Sequence, residues 1–263
     1  MINPTQNAYN PFDLRGRVIV VTGGAVGIGR IYSERLCAAG AKVVIADIAA
    51  EAGEKLAGRL KAEGHEALSV RTDISDEPAT LAMASAAMQR FGRIDGLINN
   101  ASLMSSLPRR SWLDIPAAEW DRVMGVDLRG LFLCCRAVVP HMQKQGKGKI
   151  VNITSTRVFE GTPNRLHYTT AKGGVISFTR ALAREIGPHN ISVNVIAPGL
   201  TLSETQIATS DKGYLNDQYN QGRAFARAQI PDDLVGAMMF LLSDASDFIT
   251  GQTLVVDGGR VMH

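Results

Sequence analysis

The chain has 263 residues, 45% of them hydrophobic, and 28 Lys and Arg against 25 Asp and Glu give a formal net charge of +3. That is apolar material for one substantial core, and single α/β domains reach this size. The small, dispersed charge argues against a nucleic-acid binder, the lack of any run of roughly eighteen apolar residues against a membrane span, and the polar stretch 1–10 against a secretory signal.

Residues 1–13, with their Asn and Pro, read as a loosely held arm, and residues 14–263 as one domain. The apolar run 18–21 predicts a first strand. It leads into Thr22-Gly23-Gly24-Ala25-Val26-Gly27-Ile28-Gly29, and the apolar periodicity of 31–39 then predicts a helix. Glycines permit positive φ and close approach of the backbone to a ligand, while a helix N-terminus offers unpaired N–H groups to a pyrophosphate. The spacing of Gly23, Gly27 and Gly29 is GxxxGxG, which departs from the commoner GxGxxG.

A second strand, 43–46, ends at Asp47, about twenty residues beyond the glycines, where an acid that binds the adenosine ribose is expected. A 2′-phosphate would set further negative charge against Asp47, and neither Val26 nor Ile48 supplies a compensating cation. A penalty of about 2 to 3 kcal/mol disfavours the phosphorylated cofactor by about 30- to 150-fold, so the sequence favours NAD over NADP.

Further strands are expected at 68–70, 96–98, 150–153, 191–197 and 253–256, with helices between them, among them 79–91 and 119–142. Parallel strands need crossovers of this length, almost always right-handed. The expectation is therefore a doubly wound, Rossmann-type parallel sheet of about seven strands with helices on both faces and the ligand at the carboxyl ends of the strands. Asp73, in Thr72-Asp73-Ile74, precedes Ser75 and Asp76, and any of the three acceptors can cap the next helix. The cluster 144–149 holds three lysines in a Gly-rich turn and reads as a solvated loop. Cys134 and Cys135 are neighbours in a helical stretch, where their side chains diverge, so buried reduced thiols in a cytoplasmic protein are expected. The five histidines have no metal-ligand spacing; His167 adjoins Tyr168 but points to another helix face.

Tyr168 and Lys172 stand one helical turn apart, with Ser155 thirteen residues upstream at the end of an apolar strand. Positions i and i+4 share a helix face, so the ammonium can act on the phenol. Unit charges about 4 Å apart at an effective dielectric of about 20 interact by about 4 kcal/mol, enough to make a phenol a usable base where burial does not cancel it. Ser155 would hold the substrate oxygen.

These motifs together resemble the short-chain dehydrogenase/reductase family over nearly the whole chain, from about residue 14 to 259. The TGxxxGIG turn is Thr22 to Gly29, the NNAG segment is Asn99-Asn100-Ala101-Ser102, the Ser-Tyr-Lys set is Ser155, Tyr168 and Lys172, and the PG after the sixth strand is Pro198-Gly199. The resemblance implies Tyr168 as catalytic acid/base, Lys172 on the nicotinamide ribose and Ser155 on the substrate. The implied cofactor set is Gly23, Gly27, Ile28, Gly29, Asp47, Asp73, Ile74, Asn100, Pro198, Gly199, Thr201 and Ser203, together with Tyr168 and Lys172. Ser203 stands where a Thr is more usual. Two positions depart from the pattern: Asp127 replaces the family's catalytic Asn, and Ser102 its glycine. An amide donates and accepts but a carboxylate only accepts, so Asp127 holds a water differently, pairs with Lys172, or slows the proton relay.

The expected function is reversible hydride transfer between NAD and a secondary alcohol or ketone of medium size, cyclic or aromatic. The expected walls are 102–112, 156–167 and a lid at 200–228; they offer Leu103, Met104, Val158, Phe159, Leu166 and Leu200 beside Arg157 and Arg165. Rivals are an NADPH-linked ketoacyl reductase, opposed by Asp47; an epimerase or dehydratase, opposed by the short C-terminal region; and a non-catalytic NAD-sensing regulator, opposed by the intact Ser-Tyr-Lys set. The resemblance also implies a homotetramer, and Leu128, Leu131, Phe132 and Val139 offer apolar surface for a subunit contact.

Overall fold

The structure, a computed structural model, describes residues 10–209 and 222–262. Residues 1–9 of the expected arm and 210–221 of the expected lid lie outside the described residues. At the end of the arm, Pro11 accepts the Ala245 N–H at 2.9 Å and the Phe12 ring stands 6.5 Å from that of Phe240.

Seven parallel strands form one sheet in the order β3-β2-β1-β4-β5-β6-β7. They are β1 (Val18–Thr22), β2 (Lys42–Asp47), β3 (Ala67–Arg71), β4 (Gly96–Asn99), β5 (Gly148–Ile153), β6 (Ile191–Pro198) and β7 (Thr253–Val256). Every residue of β1, β4, β5 and β6 is buried, as expected where helices cover both faces of a parallel sheet. Alternation along β1 divides the core. Val18 and Val20 pack with α3 (Glu77–Phe91), α5 (Leu131–Gln145) and α7 (Leu166–Ile186), whereas Ile19 and Val21 pack with α1 (Gly27–Ala38), α2 (Ala50–Ala62) and α9 (Val235–Leu242). The strand order reverses direction between β1 and β4, where Thr22 pairs with Asn99, and this opens a crevice at the carboxyl ends.

Asp76 wins the competition to cap α3: its carboxylate accepts the Ala79 N–H, Pro78 follows inside the first turn, and Gly92 closes the helix at φ 75°. The single helix expected over 119–142 is interrupted. α4 (Ala117–Met124) passes through a π-turn (Gly125–Gly130) into α5, which carries Pro140 in its interior. Apolar periodicity does not register one extra residue in a turn.

Leu131 and Val139, expected to offer a subunit contact, are buried in this chain's own core; Phe132 is the exposed member, beside an apolar hollow shared with Phe178. The lysine cluster is also more committed than a solvated loop: Lys147 pairs with Asp244 and Asp247, and buried Lys149 pairs with Asp247. Cys37, Cys134 and Cys135 are all free and buried; burial pushes the Cys37 and Cys135 thiols up to about 12. Among the described residues no helix is long and apolar enough to cross a membrane, and no group of His, Cys, Asp and Glu is placed to hold a metal.

Candidate active site

The turn after β1 is built by exclusion. Gly23 has φ 60°, and a Cβ there would lie 2.9 Å from Ala101 Cα; a Cβ on Gly29 would lie 1.9 Å from the Gly23 carbonyl oxygen. Asn100 clamps this turn to β4. Its Nδ2 donates to the carbonyls of Thr22 and Gly23 at 3.0 and 3.1 Å, and Thr22 Oγ1 accepts the Asn100 N–H at 3.0 Å. No side chain caps α1 at Val26, and its first turn has no acid of its own. A residue remote in sequence takes that place: Glu204 Oε1 accepts the Gly27 N–H at 3.1 Å, and its carboxylate also pairs with Arg30 at 2.9 Å. Burial opposes ionisation of Glu204, but the Arg30 and Gly27 hydrogen bonds prevail and hold it below its ordinary value.

Asp47 closes β2 with its carboxylate buried. Oδ2 accepts from Ala25 N and Oδ1 from Ala49 N, each at 2.9 Å. Asp73 accepts both the backbone N–H and the hydroxyl of Ser75, which holds it toward the crevice rather than on α3. At the far side, β6 ends in Pro198, whose carbonyl accepts the Thr156 N–H, and a Cβ on Gly199 would lie 2.8 Å from that of Asp257. Thr201 Oγ1 donates back to the Gly199 carbonyl. Ser203 Oγ accepts the Gln206 N–H at 3.2 Å, starting the short α8 (Glu204–Thr209).

Tyr168 and Lys172 lie on the first turns of α7, and Ser155 lies two residues beyond β5. Tyr168 is 5% exposed and Lys172 2%. Lys172 Nζ stands 5.6 Å from the Tyr168 ring centroid and donates to the Ile153 carbonyl at 3.1 Å. The ammonium also meets Asp127 Oδ1 at 3.2 Å, the pairing that was one of the three alternatives for this acid. The net effect on Tyr168 differs from the expected acidification. Burial raises its pKa and outweighs the lowering by Lys172; Asp127 raises it further, while the Ser155 hydrogen bond and Arg157 lower it.

These parts surround a cleft of about 780 Å³. Of the expected site residues, Gly23, Gly27, Ile28, Asp47, Asp73, Ile74, Asn100, Ser155, Tyr168, Lys172, Pro198, Gly199, Thr201 and Ser203 line it. Gly29 and Asp127 do not: Gly29 packs behind the turn, and the Asp127 side chain has no exposed surface. Leu103, Met104 and Leu200 are walls, but Val158, Phe159 and Leu166 are not, because α6 (Arg157–Glu160) and the start of α7 leave Phe159 and Leu166 toward solvent. The Arg157 guanidinium donates to the carbonyls of Thr162 and Pro163, and Arg165 donates to that of Leu107. His167 is fully buried on α7, its Nε2 3.2 Å from Glu119 Oε1 of α4. Sequence reasoning missed Glu204, Thr205 and the Glu160–Arg260 ion pair at the rim, whose partners lie far apart in the chain and carry no local signal.

The cleft fits a nicotinamide dinucleotide: a helix start that its own Val26 does not cap, a glycine turn whose space a Cβ would fill, and a buried acid at the end of the next strand. A family model described as "Enoyl-(Acyl carrier protein) reductase" matches residues 23–260. The chain is 38% identical over 250 residues to the "Probable galactose dehydrogenase GalD" of Rhizobium meliloti, covering 94% of this chain and 96% of that protein. It is 37% identical over 243 residues to the cis-4-hydroxycyclohexanecarboxylate dehydrogenase of Sinomonas cyclohexanicum, covering 92% and 96%. The crystal structure of levodione reductase superimposes with a TM-score of 0.87 at 32% identity, covering 94% of this chain and 98% of that one. The chain belongs to the short-chain dehydrogenase/reductase family. Membership makes it an oxidoreductase of the alcohol–ketone class that works with a nicotinamide cofactor.

Proposed function

We propose that the protein is an NAD-dependent dehydrogenase of a medium-sized cyclic or aromatic secondary alcohol, with Tyr168 as acid/base. The observation that carries this reading is the convergence of Ser155, Tyr168 and Lys172 on the cleft that also holds the glycine turn and Asp47. Ser155 holds the substrate oxygen against Tyr168, and Tyr168 takes the alcohol proton. Lys172 binds the nicotinamide ribose and stabilises the phenolate; its ammonium passes the proton on toward solvent. When bound, the nicotinamide ring supplies the hydride acceptor and, oxidised, a further positive charge beside the phenol. Positioning of both transfers lowers the barrier.

Asp47 supports NAD: a 2′-phosphate would face its carboxylate. Leu103, Met104 and Leu200 support an apolar substrate, and a relative named for a hydroxycyclohexanecarboxylate supports a cyclic one. The segment 200–228 is proposed as a lid, and exposed Phe132 beside Phe178 supports a homo-oligomer, a tetramer by family resemblance. Buried thiols support a cytoplasmic location.

The test is absorbance of reduced nicotinamide with a panel of cyclic and aromatic secondary alcohols and each cofactor. NAD-dependent turnover is expected, and turnover with NADP alone would overturn the cofactor choice. A second reading, a non-catalytic NAD sensor, is favoured by one observation, the offset of Lys172 by Asp127; NAD binding with no turnover on any alcohol would select it.

A further inference from the structure

The carboxylate of Asp127, though sealed from the cleft, is engaged on both oxygens. Oδ1 accepts from the Ser102 hydroxyl and stands 3.2 Å from Lys172 Nζ, and Oδ2 accepts the Leu103 N–H at 3.1 Å. A carboxylate only accepts, so donors on one oxygen draw on the same negative charge. Ser102 is itself oriented: its Oγ accepts the Met104 N–H at 3.3 Å, which directs its proton to Asp127.

We propose that Ser102 is a positioning residue for the Tyr168–Lys172 pair, holding Asp127 Oδ1 so that the carboxylate does not close fully on the ammonium. The inference rests on the reading of Tyr168 as the proton carrier. Without the hydroxyl, Asp127 offsets more of the Lys172 charge, and less of that charge reaches the phenol. The groups facing Tyr168 are Lys172 on α7 itself, Asp127 on the π-turn, Ser155 after β5 and Arg157 on α6. His167 and Glu119 face each other one helix surface away, and Arg122 of α4 lines the cleft. Of these, Asp127 accepts the Ser102 hydroxyl.

The test follows the tyrosinate ultraviolet band of the full chain through an alkaline titration, with the Tyr168→Phe trace subtracted to isolate this phenol. It needs no substrate. Ser102→Ala is expected to move the Tyr168 titration to higher pH, with about threefold less tyrosinate at a fixed pH below the midpoint. Ser102→Thr, which keeps the hydroxyl, is expected to hold the wild-type curve. In the Asp127→Asn background Ser102→Ala is expected to move nothing. Unchanged titration in Ser102→Ala, or an equal change in both backgrounds, overturns the proposal. So does a wild-type Tyr168 that stays protonated up to alkaline unfolding, since Ser102 then has no effect to preserve. Ser102→Gly gives a second removal of the hydroxyl should Ser102→Ala fail to fold. Turnover of Tyr168→Phe tests the acid/base reading separately: an active variant refutes that reading and leaves the titration result standing.

Discussion

Asp47 Oδ2 accepts the Ala25 N–H at 2.9 Å, so the acid that ends β2 is tied to the turn that follows β1. The bond fixes where its negative charge sits. Asp47→Ser is expected to narrow the preference for NAD over NADP, measured as the ratio of kcat/KM values, by about 30- to 150-fold, and an unchanged ratio would show that the charge does not select. Part of any loss with NAD itself will reflect release of the Ala25 and Ala49 N–H groups.

Tyr168→Phe removes the hydroxyl and keeps the ring. Turnover is expected to fall by at least about a thousandfold, while fluorescence titration shows NAD binding within about twofold of wild type. Retained activity would refute the assigned acid/base.

Asp127→Asn removes the charge that competes for Lys172. The expected outcome is turnover kept or raised, with folding stability lowered by up to about 3 kcal/mol in urea denaturation because a buried ammonium loses its counter-ion. A large loss of turnover in a folded variant contradicts this. Residual compensation comes from the Ile153 carbonyl, which still accepts from Lys172.

Gly29→Ala sets a Cβ 1.9 Å from the Gly23 carbonyl oxygen and 2.6 Å from Asn100 Nδ2. Backbone cannot yield there without opening the turn. Loss of NAD binding with a lowered melting temperature is expected, whereas Gly58→Ala, with nothing within 4 Å, is expected to retain both.

Acid stability reads the cluster at the start of β5. Burial works against ionisation of Asp244 and Asp247, but hydrogen bonds from Arg17 and Lys147 to the first, and from Lys147 and Lys149 to the second, hold both below the ordinary value of 3.8. A carboxylate depressed in the folded chain stabilises above its unfolded value, and that contribution is lost as pH falls through the folded one. The urea midpoint is therefore expected to drop as pH falls below about 4, and Asp244→Asn is expected to flatten that drop.

Much of this architecture is legible in sequence because strand runs such as 18–21 are continuous and bounded by glycine or acid; the structure extends this one by only Thr22. What periodicity could not supply was phase. Residues 119–142 read as one helix because apolar positions recur on both sides of the π-turn. Val158, Phe159 and Leu166 are near Ser155 and Tyr168 in sequence, but a single turn of helix after Thr156 carries the first two off the cleft and the start of α7 leaves Leu166 toward solvent. The Asp127–Lys172 pair was one of three arrangements open to an acid at that position, and only coordinates separate them. The Gly27–Glu204 bond joins residues 177 apart and leaves no local pattern to read.

The π-turn makes the length of segment 125–130 a determinant of the chemistry. Deleting a single residue there would restore a regular helix and leave α4 and α5 roughly in phase, because the wide turn had absorbed that residue; only the residues within the turn would move. Asp127, inside the turn, would swing away from Lys172, while Glu119 upstream would keep its place beside His167. Side chains are constrained there as well as length: a Cβ on Gly130 would lie 2.9 Å from Ile74 Cδ1.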